Sequence, residues 1–255
     1  MPPERRPDDF VTVCKDIPVI NLQNDRSEIV QQIFKACQEF GVFQVINHGV
    51  SEELMRTLGC SLYTSGLNKT KEDVRLWKDT LKHECHPLEE HSPSWPEKPA
   101  RYREEVGKYT VEVRKMGFKI LDMIGEGLGL SEGYFVEVIQ EQFMAINHYP
   151  PCPDPSLAMG IVAHTDPNLI TLLVYEKLKS AEHRGVLNST ASRTSIVTFF
   201  APGLHVVIEP AKELITSSSP QVFKSFQYKD FIANYMAFMR KPLPRDGTPL
   251  DPYRL

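Results

Sequence analysis

His164, Asp166 and His183 carry side chains able to share a metal ion, and all three fall in one stretch, AHTDPNLITLLVYEKLKSAEHR, at 163–184. On an extended strand, residues i and i+2 point to the same face, so His164 and Asp166 would reach one ion; on a helix they would diverge. His183 would bring a third ligand from a separate segment. Two imidazoles and one carboxylate, with other positions left open, suit non-haem Fe(II) and its oxygen chemistry. An HxD pair alone is a weak signal, because a lone histidine is more often hydrogen-bonded locally than bound to metal.

Nearby residues strengthen the reading. Arg193 and Ser195, in RTSIVTFF, are again two apart. One strand face would then offer a guanidinium fork and a hydroxyl, which together bind a carboxylate. Asn147 and Tyr149, in NHYPPCPDP, share a strand face in the same way. An apolar strand has little reason to bury an arginine unless an anion meets it.

Hydrophobic periodicity outlines what must position these groups. IPVINL (17–22) reads as a strand, RSEIVQQIFKACQEFG (26–41) as an amphipathic helix stopped by Gly41, and VFQVINHG (42–49) as a second strand. SEELMRTL (51–58) opens a helix with acidic residues in its first turn. Residues 59–98 read as mostly loop, with a possible strand from Val74 to Trp77. A long helix is expected over 99–130, closed by GLGL, and a short one over SEGYFVEVIQ. From Phe143 onward, short β-rich segments separated by Pro, Asp, Asn and Gly suggest an antiparallel β core, and QVFKSFQYKDFIANYMAFM returns to helical spacing.

Bulk properties limit the function classes. The chain has 255 residues, 29 Lys and Arg against 33 Asp and Glu, and a net charge of −4. That mild acidity argues against nucleic-acid binding, which needs a basic face. No apolar run is long enough for a membrane span, and MPPERRPDDFVTVCKD has no signal-like apolar core. Cys14, Cys37, Cys60, Cys85 and Cys152 are odd in number and scattered, which fits reduced thiols and a cytoplasmic protein. HECH (83–86), with His91 nearby, is too crowded for a zinc site and lacks a partner CxxC. His48 and His148 read as locally bonded turn residues. Trp77 and Trp95 would pack the core or line a pocket.

HTD, SAEHR and RTS, preceded by NHYPPCPDP and GVFQVINHGV, together resemble the plant 2-oxoglutarate- and Fe(II)-dependent dioxygenases. RLWKDTLKH, SWPEKPARYREEVGKY and DPNLITLL look most like the hyoscyamine 6-dioxygenase-like members of that family. The resemblance implies a double-stranded β-helix (jelly-roll) core, mainly β, with flanking helices. It implies an αβ region over 1–98, helical support over 99–140, the core over 141–210 and a helical tail over 211–255. It further implies that His164, Asp166 and His183 hold Fe(II) and perform catalysis. Arg193 and Ser195 would bind the distal carboxylate of 2-oxoglutarate, with Tyr149 and Asn147 helping. Molecular oxygen and a small plant specialised metabolite would be the partners, and ascorbate a supporting reductant. The products would be succinate, CO2 and an oxidised metabolite.

The chain departs from that family pattern in two places. Only 16 residues separate Asp166 from His183, where the family places several strands, so LLVYEKLKS reads as two distant pieces joined. A second gap falls near MRTLGCSLYTS. The jelly roll is therefore expected to be incomplete, with open strand edges and a thin pocket wall. A truncated, catalytically inactive isoform that acts as a non-catalytic binder is the alternative.

Overall fold

The computed structural model describes residues 17–59, 75–174, 183–241 and 246–255. Cys14, Cys60, Val74 and the KLKSA part of the second motif lie outside these. The described cysteines, Cys37, Cys85 and Cys152, are free thiols.

The N-terminal unit follows its sequence pattern. Strands β1 (Val19–Asn21) and β2 (Gln44–Ile46) pair in parallel across helix α1 (Arg26–Glu39). Asp25 caps α1 by accepting from the Ser27 and Glu28 amides, which satisfies two of the helix's orphan donors. Gly41 ends it at φ 67°, a conformation that favours glycine. Ile29, Ile33 and Ala36 form its buried stripe. Helix α2 (Glu52–Gly59) follows. His48 Nδ1 accepts from the Val50 amide at 3.1 Å, the local role expected of it.

One expectation fails in the next stretch. Between the short β3 (Arg75–Leu76) and α3 (Leu88–His91), residues read as loop form a six-residue strand, β4 (Asp79–Glu84). It pairs antiparallel with β5 (Ile139–Tyr149). Its alternation was masked by polar residues, because the outward-facing row Leu81, His83 buries an imidazole. His83 lies against Trp95, and its Nε2 is 2.5 Å from the Tyr102 hydroxyl. Burial pushes the His83 pKa down to about 4, so the ring is neutral and its Nε2 accepts a hydrogen bond from the Tyr102 hydroxyl. Trp95 is a core residue, 2% exposed.

Helix α4 (Tyr102–Leu128) matches expectation and ends at Gly129, φ 79°. The predicted helix over SEGYFVEVIQ is absent. Gly133 sits at φ 74° and its amide donates to Asp122 Oδ1, so the chain turns and then enters β5 at Ile139. His148 therefore lies inside a strand, where its Nδ1 meets Thr194 Oγ1 at 3.0 Å.

The remaining elements are β6 (Ala158–Met159), β7 (Ile161–His164), β8 (Ile170–Val174), β9 (His183–Gly185), β10 (Arg193–Pro202), β11 (Val207–Ile208), β12 (Phe226–Gln227) and α5 (Tyr228–Met239). The main sheet runs β4-β5-β10-β8, antiparallel throughout. A second sheet consists, among the described residues, of β7 and β9.

The main sheet has two distinct faces, because side chains alternate along each strand. Met144, Ile146, Ile196 and Phe200 are on the outer face, clustered with Tyr109, Val113 and Ile120 of α4. The approach is close: a Cβ on Gly117 would stand 2.8 Å from the Phe200 ring. Each such buried side chain contributes about 1.5–3 kcal/mol, so this face anchors the sheet. The inner face carries Asn147, Tyr149, Arg193 and Ser195.

Candidate metal centre

His164 and His183 are cross-strand partners on the β7–β9 pair, their ring centroids 4.2 Å apart. Asp166 lies two residues past the end of β7, in the loop, rather than on the strand itself. His164 Nε2 still approaches Asp166 Oδ1 at 3.5 Å. One ligand atom from each of the three side chains lies within 4.8 Å of the others, and among the described residues no other such group occurs. The structure thus brings together the three residues that the sequence spacing singled out.

Their chemistry fits a divalent ion of the Fe(II) type. His164 Nδ1 lies 2.8 Å from the Val162 carbonyl, which can only accept, so the proton sits on Nδ1. Nε2 is the ring nitrogen turned toward Asp166, and a second partner that fixes the ring is what a metal-binding imidazole requires. Burial would raise the Asp166 pKa. Hydrogen bonds from His164 and Thr171, with the charges of both histidines, outweigh it and hold the carboxyl below its usual value. Asp166 is therefore an ionised, partly buried candidate ligand.

The anion-binding candidates lie on the inner face of the main sheet. Register places Arg193 opposite Tyr149 and Ser195 opposite Asn147. The Arg193 guanidinium stands 3.8 Å above the Tyr149 ring and donates to the Val186 carbonyl just past β9. Tyr149, Ser195 and Asn147 are 3%, 4% and 4% exposed. The β7–β9 pair reaches this face through Gly160, where a Cβ would clash with the Tyr149 ring at 2.7 Å and with the Gly185 carbonyl at 2.9 Å. Only glycine allows the histidine-bearing strands to lie so near Tyr149.

Sequence reasoning missed two residues that hold the ligand loop. Tyr235 of α5 donates to the Thr165 carbonyl, and Tyr228 to the Pro167 carbonyl at 3.2 Å. The two carbonyls flank Asp166, so α5 clamps the ligand loop from outside. The spacing of seven between the tyrosines, one face of a helix, was the available signal. Replacing Tyr235 with phenylalanine is expected to weaken divalent-metal binding about tenfold, the lower end of the cost of losing a ligand-orienting contact. Metal titration followed by calorimetry measures it, and an unchanged affinity would remove the clamp from the account.

Comparison with known proteins converges on this geometry. The family model for the 2OG-Fe(II) oxygenase superfamily matches residues 140–177, and the N-terminal model for non-haem dioxygenases in morphine synthesis matches 17–59. Hyoscyamine 6-dioxygenase of Hyoscyamus niger is 38% identical over 309 residues, covering 92% of this chain and 90% of that protein. The chain belongs to the 2-oxoglutarate- and Fe(II)-dependent dioxygenase family. Flavanone 3-dioxygenase 2 of Oryza sativa is 32% identical, over 92% of this chain and 88% of its own length. The crystal structure of JOX2 in complex with 2OG, Fe and JA superposes with a TM-score of 0.78 at 23% identity, covering 100% of this chain and 94% of that one. The fold is accordingly the double-stranded β-helix with flanking helices. The 309 aligned positions with hyoscyamine 6-dioxygenase exceed the 255 residues of this dioxygenase. The relative therefore has stretches with no counterpart here. The superfamily match ends at residue 177, inside the segment that reads as a joint between two distant pieces. No described helix is long and apolar enough to cross a membrane.

Proposed function

We propose that the chain is a 2-oxoglutarate- and Fe(II)-dependent oxygenase that oxidises a small plant specialised metabolite. His164, Asp166 and His183 are the iron ligands in this reading, and Arg193, Ser195, Tyr149 and Asn147 bind the co-substrate. The observation that carries it is the convergence of the three ligand atoms within 4.8 Å beside a face bearing Arg193 and Ser195. Iron and 2-oxoglutarate together supply the oxidising power that activates O2. In a hydroxylation, one oxygen atom enters succinate as CO2 leaves, and the other enters the substrate C–H bond.

The protein's own residues bind and orient. The Val162 carbonyl holds the proton on His164 Nδ1 and so keeps Nε2 ready to bind metal. Asp166 stays ionised through its hydrogen bonds. Arg193, flat over Tyr149 and tethered to Val186, presents its other donors in a fixed plane, and Ser195 adds a hydroxyl from the same strand face. The buried Tyr149 covers one face of the guanidinium and holds it in place.

The decisive experiment is thermal denaturation of the full chain with Mn(II), as an oxygen-stable stand-in for Fe(II), and 2-oxoglutarate. At about a hundredfold excess over Kd the ligands should raise Tm by about 5 °C or more. Turnover with Fe(II), ascorbate and O2 should yield succinate. A second reading, a truncated and catalytically inactive isoform, is favoured by β8 standing at the edge of the main sheet and by a second sheet of two strands, both among the described residues. Stabilisation by the ligands without succinate would favour it, and absence of both would sink the oxygenase reading.

A further inference from the structure

The inner face carries a cation that neither the metal centre nor the Arg193–Ser195 pair accounts for. Lys78 immediately precedes β4, and Asp79 is in register with His148. Continuing the strand by one residue brings Lys78 level with Tyr149, which is itself paired with Arg193. Lys78, Tyr149 and Arg193 thus form one row across three strands, and Thr80, Asn147 and Ser195 form the next.

Lys78 Nζ donates to Asn147 Oδ1 at 3.0 Å, and Thr80 Oγ1 donates to the same oxygen at 2.9 Å. An ammonium can only donate, so this contact fixes which end of the Asn147 amide faces β4. The NH2 end is turned away from Lys78 as a further donor. The two rows therefore hold an ammonium, a guanidinium, an amide NH2 and the hydroxyls of Tyr149, Thr80 and Ser195, all groups able to donate. Burial pushes the Lys78 pKa down to about 8, and the positive charges of Lys82 and Arg193 push the same way. Two cations held close together at half-buried positions are costly unless an anion joins them.

We propose that Lys78 is a direct contact of the distal carboxylate of 2-oxoglutarate, forming with Arg193 and Ser195 a two-cation pocket selective for a dicarboxylic 2-oxo acid. The proposal rests on the oxygenase reading above.

The test compares two probes, 2-oxoglutarate and 2-oxovalerate, which has the same carbon chain but no distal carboxylate. Both are titrated by calorimetry into the full-length Mn(II) protein. Lys78→Met should weaken 2-oxoglutarate binding about tenfold or more, the worth of one charged hydrogen bond, and leave 2-oxovalerate unchanged. Lys78→Arg should restore much of the loss. Equal losses for both probes would mean that Lys78 only supports the fold, and no loss for either would mean that it stands outside the pocket; both results overturn the proposal. If the unaltered protein binds neither probe, the oxygenase reading itself fails, a result separate from either.

A pH series adds a readout that a structural role would not move. The charged and titratable groups facing Lys78 are Lys82 on β4, Tyr149 on β5 and Arg193 on β10. An anion raises the pKa of the ammonium it binds, so binding takes up a proton above the free value. Affinity for 2-oxoglutarate should be level below pH about 8 and fall above it, and the fall should be missing in Lys78→Met. Identical profiles for the two proteins would overturn the assignment.

Discussion

Replacing His164 or Asp166 with alanine is expected to abolish 2-oxoglutarate-dependent succinate formation while leaving the fold intact. Each supplies one of three ligand atoms grouped within 4.8 Å. Removing an outer partner of a metal ligand typically costs about 10–100-fold in affinity or activity, and losing a ligand outright should cost more than that. His164 is 19% and Asp166 18% exposed in their side chains, so neither is a core residue. Their removal should change the melting temperature of the metal-free protein little. Succinate formation and metal titration read the effect together. A His164→Ala protein that keeps a tenth of its activity would exclude these residues as the catalytic ligands.

Replacing Arg193 with methionine is expected to raise the 2-oxoglutarate concentration needed for half-maximal turnover by about 30-fold or more. Arg193 is half-buried, so losing its charged hydrogen bonds to a carboxylate should cost about 2 kcal/mol, and 1.4 kcal/mol is tenfold. Methionine keeps much of the packing on Tyr149 but loses the donors, including the bond to the Val186 carbonyl. Arg193→Lys should recover little, because an ammonium cannot reproduce the planar fork. The measurement is succinate formed against 2-oxoglutarate concentration. An unchanged dependence would place the co-substrate elsewhere.

The two predictions test different halves of the site, and the structure explains why both are needed. The two candidate histidine ligands ride on the β7–β9 pair, and Asp166 sits in the loop after β7 that the Tyr235 and Tyr228 contacts hold from outside. The candidate anion-binding residues ride on the main sheet, fixed by the core against α4. The halves meet at Gly160 and Tyr149. A fault in one need not disable the other.

Legibility in the sequence followed the strength of local pattern. Helices α1 and α4 were readable because their apolar stripes are long and their ends carry Asp25, Gly41 and Gly129. Strand β4 was not, because its rows mix Leu81 with His83, and Thr80 with Lys82 and Glu84, so no apolar alternation stands out. The helix expected over SEGYFVEVIQ failed at Gly133, whose left-handed backbone starts a turn. Asp166 was expected on a strand and lies just beyond one, yet the ligand atoms still gather.

By itself, the sequence singled out the candidate donor set, two imidazoles and a carboxylate near an arginine and a serine two apart, because residue type and spacing carry that chemistry directly. The short span between Asp166 and His183, set beside the family resemblance, led to the expectation of an abbreviated core. Only the tertiary structure decided that Gly160 brings the histidine strands against Tyr149, that α5 clamps the ligand loop, and that Lys78 joins the row of Arg193. Those three facts depend on strand register and on contacts between residues far apart in the chain, which no local pattern encodes.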